Sequence, residues 1–272
     1  MKKKILGLLI ALGISIPTYA SITVSPTKID LNANKVRNNY ATTAIEVKGD
    51  MYQPMRFKAY AGYFKITDQA TMDMGAKSDA YDISKKIRFV PSEFTIPPGK
   101  SQKLRVNIAN IKNLPDGESR AVLYIEDVNA KEISVPNTAG IGAQLILKTR
   151  VGVPIYVDKG KFVKKAEVET FEVIKNKDGY FTKAKILSVG NSKVRYSGKF
   201  QIVQGKKLID EYSVNGNVVG NNNHYIAQQK IKTDKIPSTG EYTIKMILNY
   251  DDENGNKKNI KQETILKYEE KI

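Results

Sequence analysis

From Ser21 onward, apolar and polar residues alternate in short runs, and the three-to-four-residue recurrence of an amphipathic helix is almost absent. Met55, Phe57, Ala59, Ala61 and Tyr63 take every second position of one run; Leu104, Val106 and Ile108 do so in another. A period of two turns one face of a strand to a core and the other to solvent. β-Branched and aromatic residues dominate these runs, and Gly, Pro, Asn and Asp punctuate them. In the first half, strands are expected over residues 22–31, bent or interrupted by Pro26, and over 42–48, 55–63, 87–90, 104–108, 121–127 and 142–157. The last is the longest candidate of this half. Residues 67–85 are polar, rich in Asp, Lys, Ala and Met, and read as an excursion; residues 129–140 read as a loop.

The second half repeats the pattern without repeating the sequence. Strand cores are expected over 168–174, 181–189, 198–203, 208–214, 225–231, 242–250 and 258–268. Turn signals separate them at Asp178-Gly179, Gly190-Asn191, Gly205, Asn215-Gly216, Pro237-Ser238-Thr239-Gly240 and Asn254-Gly255. Asn-Gly and Asp-Gly suit tight hairpins, whose central residues need positive φ. The charged segment Asp158-Lys159-Gly160-Lys161 reads as a linker. The expectation is an all-β chain of two immunoglobulin-like β-sandwich domains in tandem, residues 21–157 and 158–272.

Residues 1–20 change the picture at the N-terminus. Lys2, Lys3 and Lys4 precede an apolar run from Ile5 to Ile16, and Thr18-Tyr19-Ala20 supplies small residues at a cleavage site. This is the pattern of a secretory signal peptide, expected to be cleaved after Ala20 and to export the chain. No later run is apolar for long enough to cross a bilayer, so no stable membrane insertion is expected. The chain carries 44 Lys+Arg against 28 Asp+Glu, a net charge of +16. Lysines are spread along the whole length, unlike the concentrated Arg and aromatic patch of a nucleic-acid binder, so no nucleic-acid partner is expected. There are no cysteines. Exported domains of this kind must hold themselves together by their cores, and Cys nucleophiles and Cys-ligated metals are excluded.

Catalytic chemistry finds little support. The single histidine, His224, lies in the polar run Asn221-Asn222-Asn223-His224 and reads as a loop residue. No phosphate-binding loop, HExxH or dinucleotide-binding glycine pattern occurs. The cluster Asp251-Asp252-Glu253-Asn254-Gly255 lacks the ligand spacing of a calcium loop and reads as a hairpin tip. The chain is expected to be no enzyme and to need no metal or cofactor.

Four segments of the first half, in order, carry a family likeness. They are Ser25-Pro26-Thr27-Lys28-Ile29; Phe94-Thr95-Ile96-Pro97-Pro98-Gly99-Lys100-Ser101-Gln102-Lys103-Leu104-Arg105-Val106; Asp116-Gly117-Glu118-Ser119-Arg120-Ala121-Val122-Leu123-Tyr124; and residues 143–157, Ala-Gln-Leu-Ile-Leu-Lys-Thr-Arg-Val-Gly-Val-Pro-Ile-Tyr-Val. Together they resemble the PapD-like periplasmic chaperones of the chaperone–usher pathway. The ending Val153-Pro154-Ile155-Tyr156-Val157 is more like the divergent, archaic-type branch, and residues 67–85 are not a classical feature.

The resemblance implies donor-strand complementation. A pilus or fimbrial subunit lacks one strand; the chaperone lends its last first-domain strand, and the subunit then passes to an outer-membrane usher. Main-chain hydrogen bonds supply the pairing and alternate side chains fill pockets. Ala143, Leu145 and Leu147 share one face, extended by Ile141, with Ile146 opposite. Alternation alone does not say which face packs the core; the family pattern assigns the Ala143 face to the subunit. The resemblance further implies two basic residues that hold the subunit's terminal carboxylate. Lys28 matches the first, where many members have Arg. Arg150 is the choice for the second, and Gly152 falls where a classical alignment places a basic residue. An apolar donor edge also exposes the free chain to self-association. The competing reading is a two-domain structural or adhesive surface protein.

Overall fold

The computed structural model describes residues 22–129, 131–135 and 143–269, with side chains described outside 131–135 and 143–147. The expected signal segment, residues 1–20, lies outside the described residues. The first half comprises β1 (Thr23–Ser25), β2 (Ile29–Asn32), β3 (Tyr40–Lys48), β4 (Met55–Gly62), β5 (Lys65–Ile66), β6 (Met72–Asp73), β7 (Ile87–Val90), β8 (Glu93–Ile96), β9 (Ser101–Ala109), β10 (Gly117–Asp127), β11 (Lys131–Val135), β12 (Ala143–Leu147) and β13 (Arg150–Lys159). A four-stranded sheet, β1-β3-β9-β7, packs on a five-stranded one, β2-β13-β10-β4-β8. The period of two places Ile45 and Val47, Phe57 and Ala59, Leu104, Val106 and Ile108, Leu123 and Ile125, and Val153, Ile155 and Val157 in one buried cluster. Each large side chain among them contributes about 1.5–3 kcal/mol by leaving water.

The expected first strand divides at Pro26. β1 runs antiparallel to β3, whereas β2 runs parallel to β13 in the opposite sheet. Proline lacks the N–H a ladder needs, so the chain changes sheets there. β10 is buried along nearly its whole length. Its run Ala121-Val122-Leu123-Tyr124-Ile125 is apolar on both faces because both are covered. Val122 and Tyr124 join an outer cluster with Phe64, Ile66 and Tyr156, and Val218 of the second half packs against it.

Residues 142–157 are two strands, not one. β12 and β13 are separated at Lys148-Thr149, where the Asp127 N–H donates to the Thr149 carbonyl at 2.9 Å. The loop expected over 129–140 contains a strand, β11, which pairs antiparallel with β12. The excursion opens with the turn and second strand of the short β5–β6 hairpin, whose first strand precedes it, and then returns along β10. The Arg120 N–H donates to the Tyr81 carbonyl at 2.8 Å, and the Ile83 N–H to the Arg120 carbonyl at 3.2 Å. This segment stands beside the start of β10, where β4, paired only with Val122 to Asp127, has ended.

The second half comprises β14 (Ala166–Asn176), β15 (Gly179–Ser188), β16 (Val194–Gln204), β17 (Lys207–Val219), β18 (His224–Lys230), β19 (Gly240–Asp251) and β20 (Lys257–Tyr268). Sheets β14-β15-β18 and β17-β16-β19-β20 enclose Ile186, Ile202, Tyr242, Ile244, Met246, Leu248 and Leu266. Each strand core expected here corresponds to one of these strands, with Val189 and Ile231 falling one residue beyond β15 and β18. Asn215-Gly216 is a bulge inside β17, not a turn. Val214 pairs with Gly198 and Asn217 with Tyr196, which leaves Asn215 and Gly216 opposite Ser197. A Cβ on Gly216 would stand 2.8 Å from the Tyr196 carbonyl oxygen, so the close approach requires glycine. His224, expected in a loop, opens β18 opposite Leu187. The acidic cluster is a hairpin tip: the Asp252 carboxylate accepts the N–H groups of Asn254 at 2.9 Å and Asn256 at 2.8 Å and pairs with Lys258 at 3.3 Å.

Candidate functional site

The hairpin formed by β10 and β13 continues beyond the sandwich as an arm. Its last body pair is Glu126 opposite Arg150; the arm runs from Lys131 opposite Leu147 to Val135 opposite Ala143. Among the described residues, β11 is the only strand beside β12. β2 covers β13 only from Ile155 to Asp158. Among the described residues, one edge is therefore without a strand neighbour from Ala143 to Pro154, except for the break at Lys148-Thr149. Such an edge presents a row of N–H and C=O groups. Ala143, Leu145 and Leu147 take alternate positions on it, opposite Val135, Ile133 and Lys131. Ile141 lies outside the described residues.

Arg150 stands at the base of this arm. Its guanidinium lies 4.4 Å from the centre of the Tyr124 ring and donates to the Tyr60 hydroxyl at 2.9 Å. The Tyr60 hydroxyl in turn donates to Glu126 at 2.6 Å. Burial, and then Glu126, push the Tyr60 phenol above its ordinary pKa. Tyr124 lies over two glycines on the flanking strands. A Cβ on Gly62 would come within 2.8 Å of the Tyr124 ring, and one on Gly152 within 3.0 Å of Val122. Gly152 is thus the space that Val122 and Tyr124 occupy, which accounts for a glycine where the family likeness expects a cation.

Lys28 belongs to a different cluster, between the sandwiches. It pairs with Asp30 at 3.0 Å, and Asp30 pairs with Lys193, the residue before β16, at 2.9 Å. Burial raises the Asp30 pKa, but Lys193 and then Lys28 outweigh it and hold the carboxyl at about 2. Lys193 also reaches the fully buried Glu118 at 3.1 Å and stands 3.6 Å from the centre of the Tyr156 ring. The Lys193 backbone N–H donates to Glu118 as well, at 3.1 Å. The Ser192 hydroxyl donates to Asp158 at 2.6 Å, and Lys164 pairs with Asp158 at 2.8 Å. Arg120 donates to Asn221 across the same seam at 2.6 Å. Charges drawn from both sandwiches thus neutralise one another in a seam that excludes most water.

Lys28 and Arg150 are not brought together. Ile29, next to Lys28, pairs with Ile155. Arg150 lies five residues earlier on that strand, roughly 16 Å away at the rise of a β-strand. The sequence reading missed Glu118, Asp158, Lys193 and Tyr60. Asp158 read as a solvated linker charge and Lys193 as one of many dispersed lysines. Their partners are 34 and 75 positions away in the chain, so no local spacing announces them. The one local signal was Glu118-Ser119-Arg120, three polar residues directly ahead of the run Ala121-Val122-Leu123-Tyr124-Ile125, which is apolar on both faces.

No known protein family matches the chain in sequence, and no curated protein does. Three chaperones of solved structure are among the proteins to which the chain is similar. The CupB2 chaperone of Pseudomonas aeruginosa is 11% identical with a TM-score of 0.43, over 88% of this chain and 98% of that one. The YadV chaperone is 11% identical with a TM-score of 0.46, over 90% and 99%. The SafB chaperone, solved with the SafA pilin of Salmonella enterica, is 12% identical with a TM-score of 0.43, over 90% and 96%.

Proposed function

We propose that this protein is a periplasmic chaperone that binds and stabilises pilus or fimbrial subunits by donor-strand complementation and delivers them to an outer-membrane usher. The arm carries this reading: among the described residues, one strand edge has no strand neighbour from Ala143 to Pro154 apart from the break at Lys148-Thr149, and β12 pairs with β11 alone. An unpaired strand docks into a subunit groove with no rearrangement of its own sheet, and its main-chain groups supply the pairing. Residues 21–157 serve as the subunit-binding domain, residues 158–272 as the second sandwich, and residues 1–20 as the cleaved export signal. Ala143, Leu145 and Leu147, extended by Ile141, fill the groove.

Arg150 is the carboxylate anchor beside that edge. The Tyr124 ring and Tyr60 hydroxyl fix its guanidinium, so little freedom is lost when its remaining donors meet a carboxylate. Lys28, paired with Asp30 in the seam, does not share that carboxylate with Arg150.

The test is co-purification from periplasm with the subunit encoded nearest the gene. Leu145→Asp places a charge in the groove and should reduce recovered complex at least tenfold. Arg150→Ala removes a charge-assisted hydrogen bond worth about 1.5–3 kcal/mol, a loss of about ten- to a hundredfold in affinity. Recovery of an intact complex with both variants would refute the proposal.

A further inference from the structure

The chain has no cysteine and no tryptophan, so its six methionine sulfurs are its most readily oxidised atoms. The five beyond Met1 do not stand alike. Met55 and Met246 are buried in the two cores, and Met72 packs on the outer cluster beside Phe64 and Ile66. Met51 and Met74 are exposed, at 68% and 39%. Met51 occupies the turn between β3 and β4, whereas Met74 directly follows β6. The Tyr124 hydroxyl donates to the Met74 sulfur at 2.8 Å.

Neither partner of that contact is loose. The pairing of β5 with β6 holds the Met74 backbone on one side. On the other, the Gly75 N–H donates to the Asp73 carboxylate at 2.9 Å. The Tyr124 ring has the Tyr60 ring centred 5.0 Å away and the Arg150 guanidinium 4.4 Å away. Burial pushes the Tyr124 phenol above its ordinary pKa, so it remains a donor at neutral pH.

A thioether sulfur is a weak acceptor, whereas a sulfoxide is polar and accepts through oxygen. We propose that Met74 is a reversible oxidation site, at which a peroxide converts the thioether to a sulfoxide and the Tyr124 hydroxyl holds the new oxygen. The sulfur lone pair attacks one peroxide oxygen, and the O–O bond breaks. The hydroxide that leaves takes the proton of the transferred oxygen and departs as water. Sulfur gives up two electrons and the peroxide takes them. Because Met74 is open to solvent, its sulfoxide escapes the burial penalty that one at Met55 or Met246 would carry. The added oxygen needs room between sulfur and hydroxyl, so the flexible Met74 side chain withdraws and the hemmed Tyr124 ring stays. The same ring supports Arg150. Any effect of oxidation on subunit capture therefore rests on the chaperone reading; the oxidation itself does not.

The experiment adds limiting hydrogen peroxide to the folded full chain, with methionine methyl groups and tyrosine rings labelled for NMR. Peptide mass mapping of the same samples locates the oxygen. Met51 and Met74 should be oxidised at least tenfold faster than Met55 and Met246. Tyr124 ring resonances should shift in step with Met74 oxidation, persist in shifting in Met51→Leu, and stay fixed in Met74→Leu. In Tyr124→Phe, Met74 should still oxidise, but its sulfoxide methyl should move to the position of the solvent-exposed Met51 sulfoxide. The two epimer-specific methionine sulfoxide reductases should together restore the starting spectrum. Met74 left intact when Met51 is fully oxidised would overturn the assignment. So would a Tyr124 shift that survives in Met74→Leu, a Tyr124 ring unmoved as Met74 sulfoxide accumulates, or a sulfoxide the reductases cannot remove. None of these measurements contains a subunit, so the site can fail while Leu145→Asp still abolishes subunit capture, and the reverse.

Discussion

Glu118 and Lys193 show what single residues contribute to this molecule. Both are nearly out of water, and each is the other's principal counter-charge at 3.1 Å. Breaking a buried pair costs about 3–5 kcal/mol, because the survivor keeps its burial without its partner. Lys193→Met should therefore lower stability by about that amount in a denaturant titration. The double variant with Glu118→Gln should recover part of the loss. A single variant as stable as the parent would mean that water reaches the seam. Asp30 gives a pH signature. Its folded pKa of about 2 lies below the ordinary 3.8, so the native state binds fewer protons than the unfolded one between these values. Its stabilisation is complete above the unfolded pKa and is lost as pH falls through the folded one. Because 43% of the side chain remains exposed, solvent screening reduces the contribution to about 1 kcal/mol. Asp30→Asn should flatten the stability profile between pH 4 and 2; an unchanged slope would assign that region to other carboxylates.

Elements were legible where one face meets a core and the other meets solvent. β19 and β20, joined by the Asp252 tip, follow the period of two for twelve residues each. β11, at five residues, was too short for the period to register, and Asn215-Gly216 carried a turn's residues into a bulge. The site was less legible. The arm's sequence was recognised, but the seam depends on pairs far apart in the chain. The excursion after β4 was legible only as an interruption, yet it joins the sandwiches. The Asn223 side chain donates to the Ile66 carbonyl at 2.9 Å, and a Cβ on Gly220 would lie 3.1 Å from Ile66. The Tyr124 hydroxyl meets the Met74 sulfur at 2.8 Å, and Ile83 is fully buried in the first core. Replacing residues 65–80 with a short Gly-Ser link should keep Ile83 in place, but remove Ile66 from the junction and uncover Phe64, Val122 and Tyr156. The expected result is two separate melting transitions in calorimetry where the parent shows one. A single unshifted transition would show that the charged seam alone couples the halves.

At the scale of the whole molecule, the β12 edge that suits a subunit also suits a second copy of the chain. Pairing two β12 strands would satisfy both rows of backbone groups. Electrostatics opposes it. The chain carries 44 basic residues against 28 acidic, and Lys148 and Arg150 lie at the end of the edge itself. Two copies brought edge to edge therefore repel over a distance set by the Debye length, about 30 Å at 0.01 M salt and about 3 Å at 1 M. Self-association of the free chain should accordingly grow as salt is raised, the reverse of contacts held by opposite charges. Sedimentation velocity across that salt range measures it, with Leu145→Lys as the companion variant, because a charge on the edge should keep the chain monomeric throughout. A dimer that dissociates with salt, or one that persists in Leu145→Lys, would place the contact elsewhere. A salt-promoted dimer abolished by Leu145→Lys, and displaced by a subunit, would assign both partners to one strand.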